Sequence, residues 1–376
     1  MNLSVSTLLF GRRHSRTHEV EILLIRPDGP QSKQQLSMKR LNRDIQTFLF
    51  VGMTAIGSTI VPLTALAQAR AVSDSVLRGV IDTHVHSEEE YAVLEDGSMD
   101  IIELARRAKD KGMRAVVVKS LKFETATRAY LARKQVSGID VFGGLSLDLS
   151  VGGVNPDAVE ALAKLKLSTA KVIWMPVFDS KASVLASGEN RHFVNISENG
   201  KLTSNTMATL DAVAKHGYSL ATSHLGADEA LLVVRAARTR NIPVVVTHAA
   251  QQPVSMTIEQ MKEVVRLGGF IEHTAFGHFK GPQSHFSIPF YKNARRVTVE
   301  DVVRLIREIG VEQTILATDL GQAYSPIPPD GFKWFILSLK RLGITDAEMD
   351  IMTRRNPARF LRLDSSESPA NKVNQR

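Results

Sequence analysis

The chain has 376 residues, of which 43% are hydrophobic and none is cysteine, and its formal net charge is +8. This length is sufficient for one barrel or two ordinary domains, and the lack of cysteine excludes a fold held by disulfides and a metal site with thiolate ligands. Residues 1–70 contain nine Lys or Arg and four Asp or Glu, so most of the positive excess lies there. The charge of the remaining chain therefore gives no support to nucleic-acid binding.

A segment near the N-terminus has the pattern of an export signal. Met38-Lys39-Arg40 precedes residues 45–69, which carry no charge, and Ala65-Leu66-Ala67 and Ala67-Gln68-Ala69 both offer the small-X-small pattern of a signal-peptidase site. We predict a cleaved signal peptide over residues 38–69, preceded by an extension or misassigned start over residues 1–37. An uncleaved membrane anchor is the alternative. Cleavage predicts a periplasmic or secreted protein with no stable membrane association.

From Ala71 onward, short apolar runs alternate with amphipathic stretches of helical period. Ile101, Leu104, Ala105 and Ala108 show the spacing of three and four that one helix face requires. Eight strand–helix units within about 300 residues predict a parallel sheet closed into a single (β/α)8 TIM barrel over residues 71–364. An open doubly wound sheet is the alternative. The predicted strands are 79–83, 114–119, 140–147, 171–177, 219–223, 243–247, 269–272 and 314–318. The predicted helices are 100–111, 125–135, 156–167, 206–216, 228–239, 258–267 and 299–309.

Two predicted connections are longer than the others, residues 178–204 and residues 275–297. Loops of this length are uncommon unless they have a function. In a barrel both would lie on the carboxyl-terminal face, where active sites are built. The polar residues 365–376 are predicted to form a disordered tail.

Ionisable side chains stand where most of the predicted strands end. Two histidines at spacing two on a strand share one face, so the pair in His84-Val85-His86 can reach one ion. Imidazole and charged groups at several barrel-strand ends are typical of a catalytic site, and His, Asp and Glu are zinc ligands. The pattern therefore predicts a metal site. The strand-end residues are His84, His86, Lys119, His224, His248, His273 and Asp319.

These strand ends resemble those of the amidohydrolase superfamily of metal-dependent hydrolases. The segment Arg355–Leu361, which contains Asn-Pro-Ala, resembles the helix that often ends such barrels, and Trp174-Met175-Pro176 is similar to a segment of an uncharacterised amidohydrolase-related family. The resemblance spans residues 79–363. It implies a barrel fold and a divalent metal, zinc first and manganese, iron or nickel as alternatives. One ion would be held by His84, His86 and Asp319, and His224 and His248 would hold a second ion or contact the substrate.

The resemblance also implies roles for the remaining strand-end residues. Asp319 would take a proton from a metal-activated water and pass it to the leaving group; its alternative role is a helix N-cap. From its position on the seventh strand, His273 is expected to line the pocket, with a packed core histidine as the alternative, and alternation along the strand then places Glu272 toward the helices. Lys119 is a candidate for a carboxylated bridging ligand or for a contact with a substrate anion, with a solvated surface lysine as the alternative.

The chain departs from the two-metal members at the end of the fourth strand. There the sequence offers no bridging Lys or Glu, with Asp179 as a possible stand-in, and Leu121 stands where related sequences usually have a histidine. One or two ions therefore remain open. The expected activity is hydrolysis of a small amide, lactone, ester or phosphoester. The alternatives are a barrel decarboxylase and a metal-containing binding protein without turnover. The expected partner is a small-molecule substrate, and homo-oligomerisation is left open.

Overall fold

The computed structural model describes residues 76–87, 97–286 and 288–363, so the predicted signal and tail lie outside the described residues. All eight predicted strands are present, and neighbours along the chain pair in parallel. The strands are β1 (Ile81–Val85), β2 (Ala115–Val118), β3 (Asp140–Ser146), β4 (Ala170–Trp174), β5 (Ser219–Ala221), β6 (Val244–Val246), β7 (Phe270–Thr274) and β8 (Thr314–Ala317). A two-stranded antiparallel hairpin, Ser197–Glu198 and Lys201–Leu202, lies between β4 and β5.

The sheet closes between β1 and the residues that follow β8. The backbone N–H of Asp319 donates to the carbonyl of His84 at 2.7 Å, and the N–H of His86 donates to the carbonyl of Leu320 at 2.8 Å. These bonds replace the free edges of an open sheet, so the predicted (β/α)8 barrel is confirmed and the doubly wound alternative is wrong.

All seven predicted helices are present, and several begin with the expected caps. Asp100 accepts from two backbone N–H groups, and Thr298 forms a capping box with Asp301. The helices are α1 (Ile101–Asp110), α2 (Ala126–Gln135), α3 (Pro156–Lys164), α4 (Lys181–Ser187), α5 (Ser204–Lys215), α6 (Ala227–Thr239), α7 (Ile258–Arg266), α8 (Pro289–Lys292), α9 (Val299–Ile309), α10 (Pro328–Arg341), α11 (Asp346–Asp350) and α12 (Asn356–Phe360). A single π-helical turn, Ile351–Arg355, joins the last two.

The two long connections are structured. Residues 178–204 contain α4 and the hairpin, and residues 275–297 contain a 3₁₀ turn over Ala275–His278 and the short α8. Within the described ranges, no helix is both long enough and apolar enough to cross a membrane.

Large apolar side chains fill the barrel interior on the side of the amino-terminal strand ends, which we call the lower end of the barrel. Trp174 of β4, Phe142 of β3 and Phe270 of β7 pack there, and Phe360 and Leu361 at the end of α12 close the lower end. The interior below the carboxyl-terminal ends of the strands is therefore a packed core. The polar site lies above this layer, as expected for a barrel.

Candidate metal centre

Three candidate ligands meet where β1 and β8 end. Asp319 Oδ1 lies 3.0 Å from His84 Nε2 and 3.0 Å from His86 Nε2. One ligand atom from each of the three residues falls within 4.8 Å of the others, and all three side chains are buried. The pairing of β1 with β2 shifts between Asp82 and Val85. This irregularity lets both histidines face the interior although Ile81 also packs there.

Asp82 fixes the backbone that carries these ligands. Its buried carboxylate accepts hydrogen bonds from the His84 N–H, the Thr318 N–H and the Thr318 hydroxyl, the last at 2.7 Å. Burial outweighs these bonds and raises the pKa of Asp82 to about 7. The tie holds Asp319 in a left-handed conformation, with φ of 55°. Beside it, a Cβ on Gly321 would meet the His86 carbonyl at 2.4 Å, so this turn needs glycine.

Glu272 faces the barrel interior, and the expectation that it points toward the helices is wrong. Glu272 pairs in register with Ile315, which packs in the interior, whereas His273 pairs with Leu316 of the outer layer. The Glu272 carboxylate lies 3.1 Å from His84 Nδ1 and accepts the backbone N–H of His248 at 3.1 Å. A carboxylate behind an imidazole fixes the tautomer that leaves Nε2 free for a metal. His273 is buried on the other face of β7, so the structure does not bring it to the site.

His224 and His248, after β5 and β6, extend the two histidines at the end of β1 to a row of four imidazoles. Their ring centroids are 5.0 Å apart, and His248 lies 6.1 Å from His84. The Ser183 hydroxyl donates to the Val177 carbonyl at 2.8 Å, so it has only lone pairs left for His224 Nδ1 at 3.0 Å. His224 Nδ1 therefore carries the proton, and its Nε2 is available as an acceptor or ligand.

The electrostatics of the cluster depend on burial and on Asp319. Burial alone lowers the pKa of His84, but attraction to Asp319 and Glu272 outweighs it and raises the pKa to about 9. For His86 burial prevails and lowers the pKa to about 4. Burial also holds the pKa values of His224 and His248 well below the ordinary range. Burial raises the pKa of Asp319, but His84 and His86 together hold it well below the usual value.

This donor set fits a divalent metal ion. Neutral imidazole nitrogens and a carboxylate oxygen are the ligands that zinc takes in catalytic sites without cysteine. His224 and His248 are held neutral, and Asp319 is ionised. The contact of Asp319 Oδ1 with two imidazole nitrogens needs at least one proton between them, and a cation would satisfy the same three atoms.

Two lysines share the cavity with these ligands. Lys119 follows β2 and is 1% exposed. It lies two residues after Val117, which packs in the barrel interior, so strand alternation points Lys119 to the interior as well. Lys280, in the 275–297 connection, is 5% exposed, and no sequence pattern had singled it out. The cavity volume is about 10 Å³, which is room for one water molecule at most. Its lining residues are His86, Lys119, Leu121, His224, His248, Phe276, Lys280, Phe290, Tyr291 and Asp319.

Asp179 does not replace the missing bridging ligand. Its carboxylate forms an ion pair with Arg191 at 2.6 Å and accepts the backbone N–H of Leu149 at 3.0 Å. Asp148 accepts the backbone N–H groups of Val177 and Asp179, and burial raises the pKa of Asp148 to about 7. These carboxylates hold the segment after β4 in place.

Phe290 of α8 covers His224. The two rings stack with centroids 5.7 Å apart and an interplanar angle of 15°, and Phe178 meets His224 edge-on at 5.4 Å. Aromatic residues in a long connection gave no sequence signal beyond the length of that connection. They close the cavity above the candidate ligands, so a substrate enters only when these side chains move.

Solved structures similar to this chain are amidohydrolase-type barrels, which confirms that fold. An amidohydrolase from Pseudomonas aeruginosa has a TM-score of 0.51 at 13% identity, with coverage of 78% of this chain and 98% of that one. A Pseudomonas putida protein described as a 2-pyrone-4,6-dicarboxylic acid hydrolase has a TM-score of 0.50 at 12% identity, with coverage of 76% and 97%. No curated protein matches this chain. The model of a family of unknown function, DUF6282, matches residues 79–272, more than half of the chain, and the chain belongs to that family.

Proposed function

We propose that the protein is a metal-dependent hydrolase that uses activated water to cleave a small amide, lactone, ester or phosphoester. The observation that carries this proposal is the buried cluster in which His84 Nε2 and His86 Nε2 both lie 3.0 Å from Asp319 Oδ1. The carboxylate of Glu272 accepts a hydrogen bond from His84 Nδ1 and so orients this imidazole, as carboxylates commonly do for metal-ligating histidines.

Each residue of the cluster has a separate role in this hydrolysis. A divalent ion bound here would lower the pKa of a water molecule and polarise the oxygen of the scissile bond. Asp319, ionised in the folded protein, accepts the proton of the attacking water and donates it to the leaving group. His224, with its Nε2 lone pair free, accepts a hydrogen bond from the substrate or holds a second ion. Phe290 and Tyr291 exclude bulk water from the cavity.

We propose zinc as the ion, with manganese, iron and nickel as alternatives, because the available donors are imidazole and carboxylate groups. A single ion on His84, His86 and Asp319 is the simplest arrangement, since the end of β4 offers no bridge. Two ions would require a carboxylated Lys119 as the bridging group. Metal quantification on purified protein gives the number of ions per chain. Electron density for the Lys119 side chain in a crystal structure shows whether this lysine is carboxylated.

The test combines metal loading with a substrate screen. Wild-type protein is loaded with each metal and assayed on matched amides, lactones, carboxylic esters and phosphoesters. Asp319→Asn is expected to lower kcat by about 10²- to 10⁴-fold. Asp211→Asn, a surface change of equal charge on α5, is the control and should leave kcat unchanged. Full activity of Asp319→Asn would contradict the proton role, and a protein that binds only traces of metal would contradict the proposal as a whole.

The alternative functions give different outcomes in the same screen. A decarboxylase releases carbon dioxide from a carboxylate substrate without hydrolysing any ester or amide. A binding protein without turnover retains metal and changes none of the compounds.

We also propose that the chain is exported through the signal over residues 38–69. The N-terminal sequence of the mature protein from a periplasmic fraction tests this, because cleavage predicts a start after Ala69. A mature protein that retains residues 38–69 would contradict cleavage.

A further inference from the structure

Lys119 and Lys280 enter the same buried cavity from different parts of the barrel. Lys119 follows β2, and Lys280 lies in the 275–297 connection, yet both line the space beside Asp319, His224 and His248. Their exposed fractions are 1% and 5%. A lysine this deeply buried is rare unless something pairs with its charge.

Neither ammonium group has such a partner within the described part of the chain. No carboxylate oxygen lies within 4.0 Å of either nitrogen, and neither nitrogen forms a hydrogen bond there. The nearest defined contact is that of Lys280 Nζ with the ring of Phe276, 5.2 Å from the centroid. Three acids lie near Lys119: Asp319, Glu272 and Asp148. The oxygens of Asp319 and Glu272 already contact the imidazoles, and Asp148 accepts backbone N–H groups of the segment after β4. A buried charge without a partner destabilises the fold, so both lysines are suited to a ligand that supplies one.

The charge of the site points to the sign of that ligand. With neutral imidazoles, the two lysines balance Glu272 and Asp319, and Asp148 adds at most one negative charge. A divalent ion would then leave at least one positive charge uncompensated in a closed cavity, and an anionic group would neutralise it. Ammonium groups donate strong, charge-assisted hydrogen bonds to carboxylate and phosphate oxygens.

We propose that Lys280 and Lys119 together bind an anionic group of the substrate, a carboxylate or a phosphate, next to the bond that is cleaved. This inference rests on the proposed hydrolytic function and specifies its substrate class as small anionic esters, lactones or amides. Lys280 determines specificity, because it comes from the connection that covers the cavity and contributes no candidate metal ligand.

The experiment measures anion binding and anion preference separately. Inorganic phosphate and succinate are titrated into metal-loaded wild-type protein by calorimetry. In parallel, kcat/KM is measured for a pair of esters that differ only by a terminal carboxylate. Lys280→Met is expected to weaken anion binding about tenfold or more and to lower the ratio of anionic to neutral kcat/KM by a similar factor. Lys280→Arg should recover part of both. Lys262→Met on the surface of α7 is the matched control and should change neither. The anion that binds with the lower dissociation constant shows whether the site prefers a phosphate or a carboxylate.

The two proposals fail in different ways. If wild-type protein binds neither anion, or if the preference for the anionic ester is absent or unchanged in Lys280→Met, the anion site is wrong while hydrolysis stands. If no amide, lactone, ester or phosphoester is cleaved but anion binding still depends on Lys280, the anion site stands and the hydrolase proposal is wrong. A carbamate on Lys119 in a crystal structure would also overturn the lysine pair. If Lys280→Met fails to fold, the wild-type protein still tests the site, because failure to bind either anion or to prefer the anionic ester overturns it.

Discussion

Replacing Glu272 with glutamine tests whether the cluster is a built metal site. The Glu272 carboxylate contacts His84 Nδ1 and accepts the backbone N–H of His248, each at 3.1 Å, so one side chain supports two candidate ligands. Glutamine has nearly the same shape and keeps one acceptor oxygen, but it removes the negative charge behind His84. The change therefore leaves the candidate ligands intact and alters only how one of them is held and polarised.

The expected loss is about 10- to 100-fold in metal affinity, which corresponds to about 1.4–2.8 kcal/mol. That range applies because the hydrogen bond to His84 involves a charged acceptor in a fully buried setting. Glu272→Ala should lose more than Glu272→Gln, because it leaves the buried His84 Nδ1–H and the His248 N–H without an acceptor.

Metal affinity is measured by competition with a chromophoric chelator on protein whose fold is checked by circular dichroism. The control is Glu263→Gln on α7, where the carboxylate forms a surface ion pair with Arg235 and the same charge is removed. Equal dissociation constants for wild type and Glu272→Gln would refute the assignment of His84 as a ligand oriented by Glu272.

Three further predictions concern the fold around the site. Trp174→Ala, in the filled barrel interior, should lower the free energy of unfolding by about 3–5 kcal/mol in chemical denaturation, and a loss below 1 kcal/mol would contradict its place in the core. Burial raises the pKa of Asp148 from 3.8 to about 7, so this group destabilises the fold as pH rises through that interval. The free energy of unfolding of Asp148→Asn relative to wild type should therefore rise between pH 4 and pH 8, by at most about 4 kcal/mol, and a difference that is constant with pH would contradict the burial effect. Removing the metal with a chelator should lower Tm, and readdition should restore it, since the ion binds only the folded state.

The barrel was predictable because its local signals agree with one another. Eight apolar runs of strand length alternate with amphipathic helices, and Asp100 and Thr298 cap helices where the periodicity begins. The helix Pro328–Arg341 was missed although its buried Phe332 and Leu339 are seven residues apart, two turns of a helix. Its two leading prolines are typical of a loop as well as of a first helical turn, so local pattern alone was ambiguous there.

The site was predictable only in part. The barrel topology predicts which strand ends meet, but it does not predict which side chains of a strand face the site or which loop residues enter it. A parallel barrel places all carboxyl-terminal strand ends on one face, which is why His84, His224 and His248 meet as expected. Which of Glu272 and His273 faces the barrel interior depends on the register of β7 with β8, and the sequence of a single strand does not determine that register. Lys280 belongs to an irregular connection whose path is set by tertiary packing.

A proton held between His84 and Asp319 makes the effect of Glu272→Gln on metal affinity depend on pH. Attraction to Asp319 and Glu272 overcomes burial and raises the pKa of His84 to about 9, so metal must displace this proton at neutral pH. In Glu272→Gln the pKa of His84 falls, and the proton competes less with the metal. The ratio of dissociation constants, variant over wild type, should therefore be larger at pH 8 than at pH 6, because weaker competition at low pH offsets part of the lost affinity. A ratio that is independent of pH would mean that His84 carries no proton when the metal is absent.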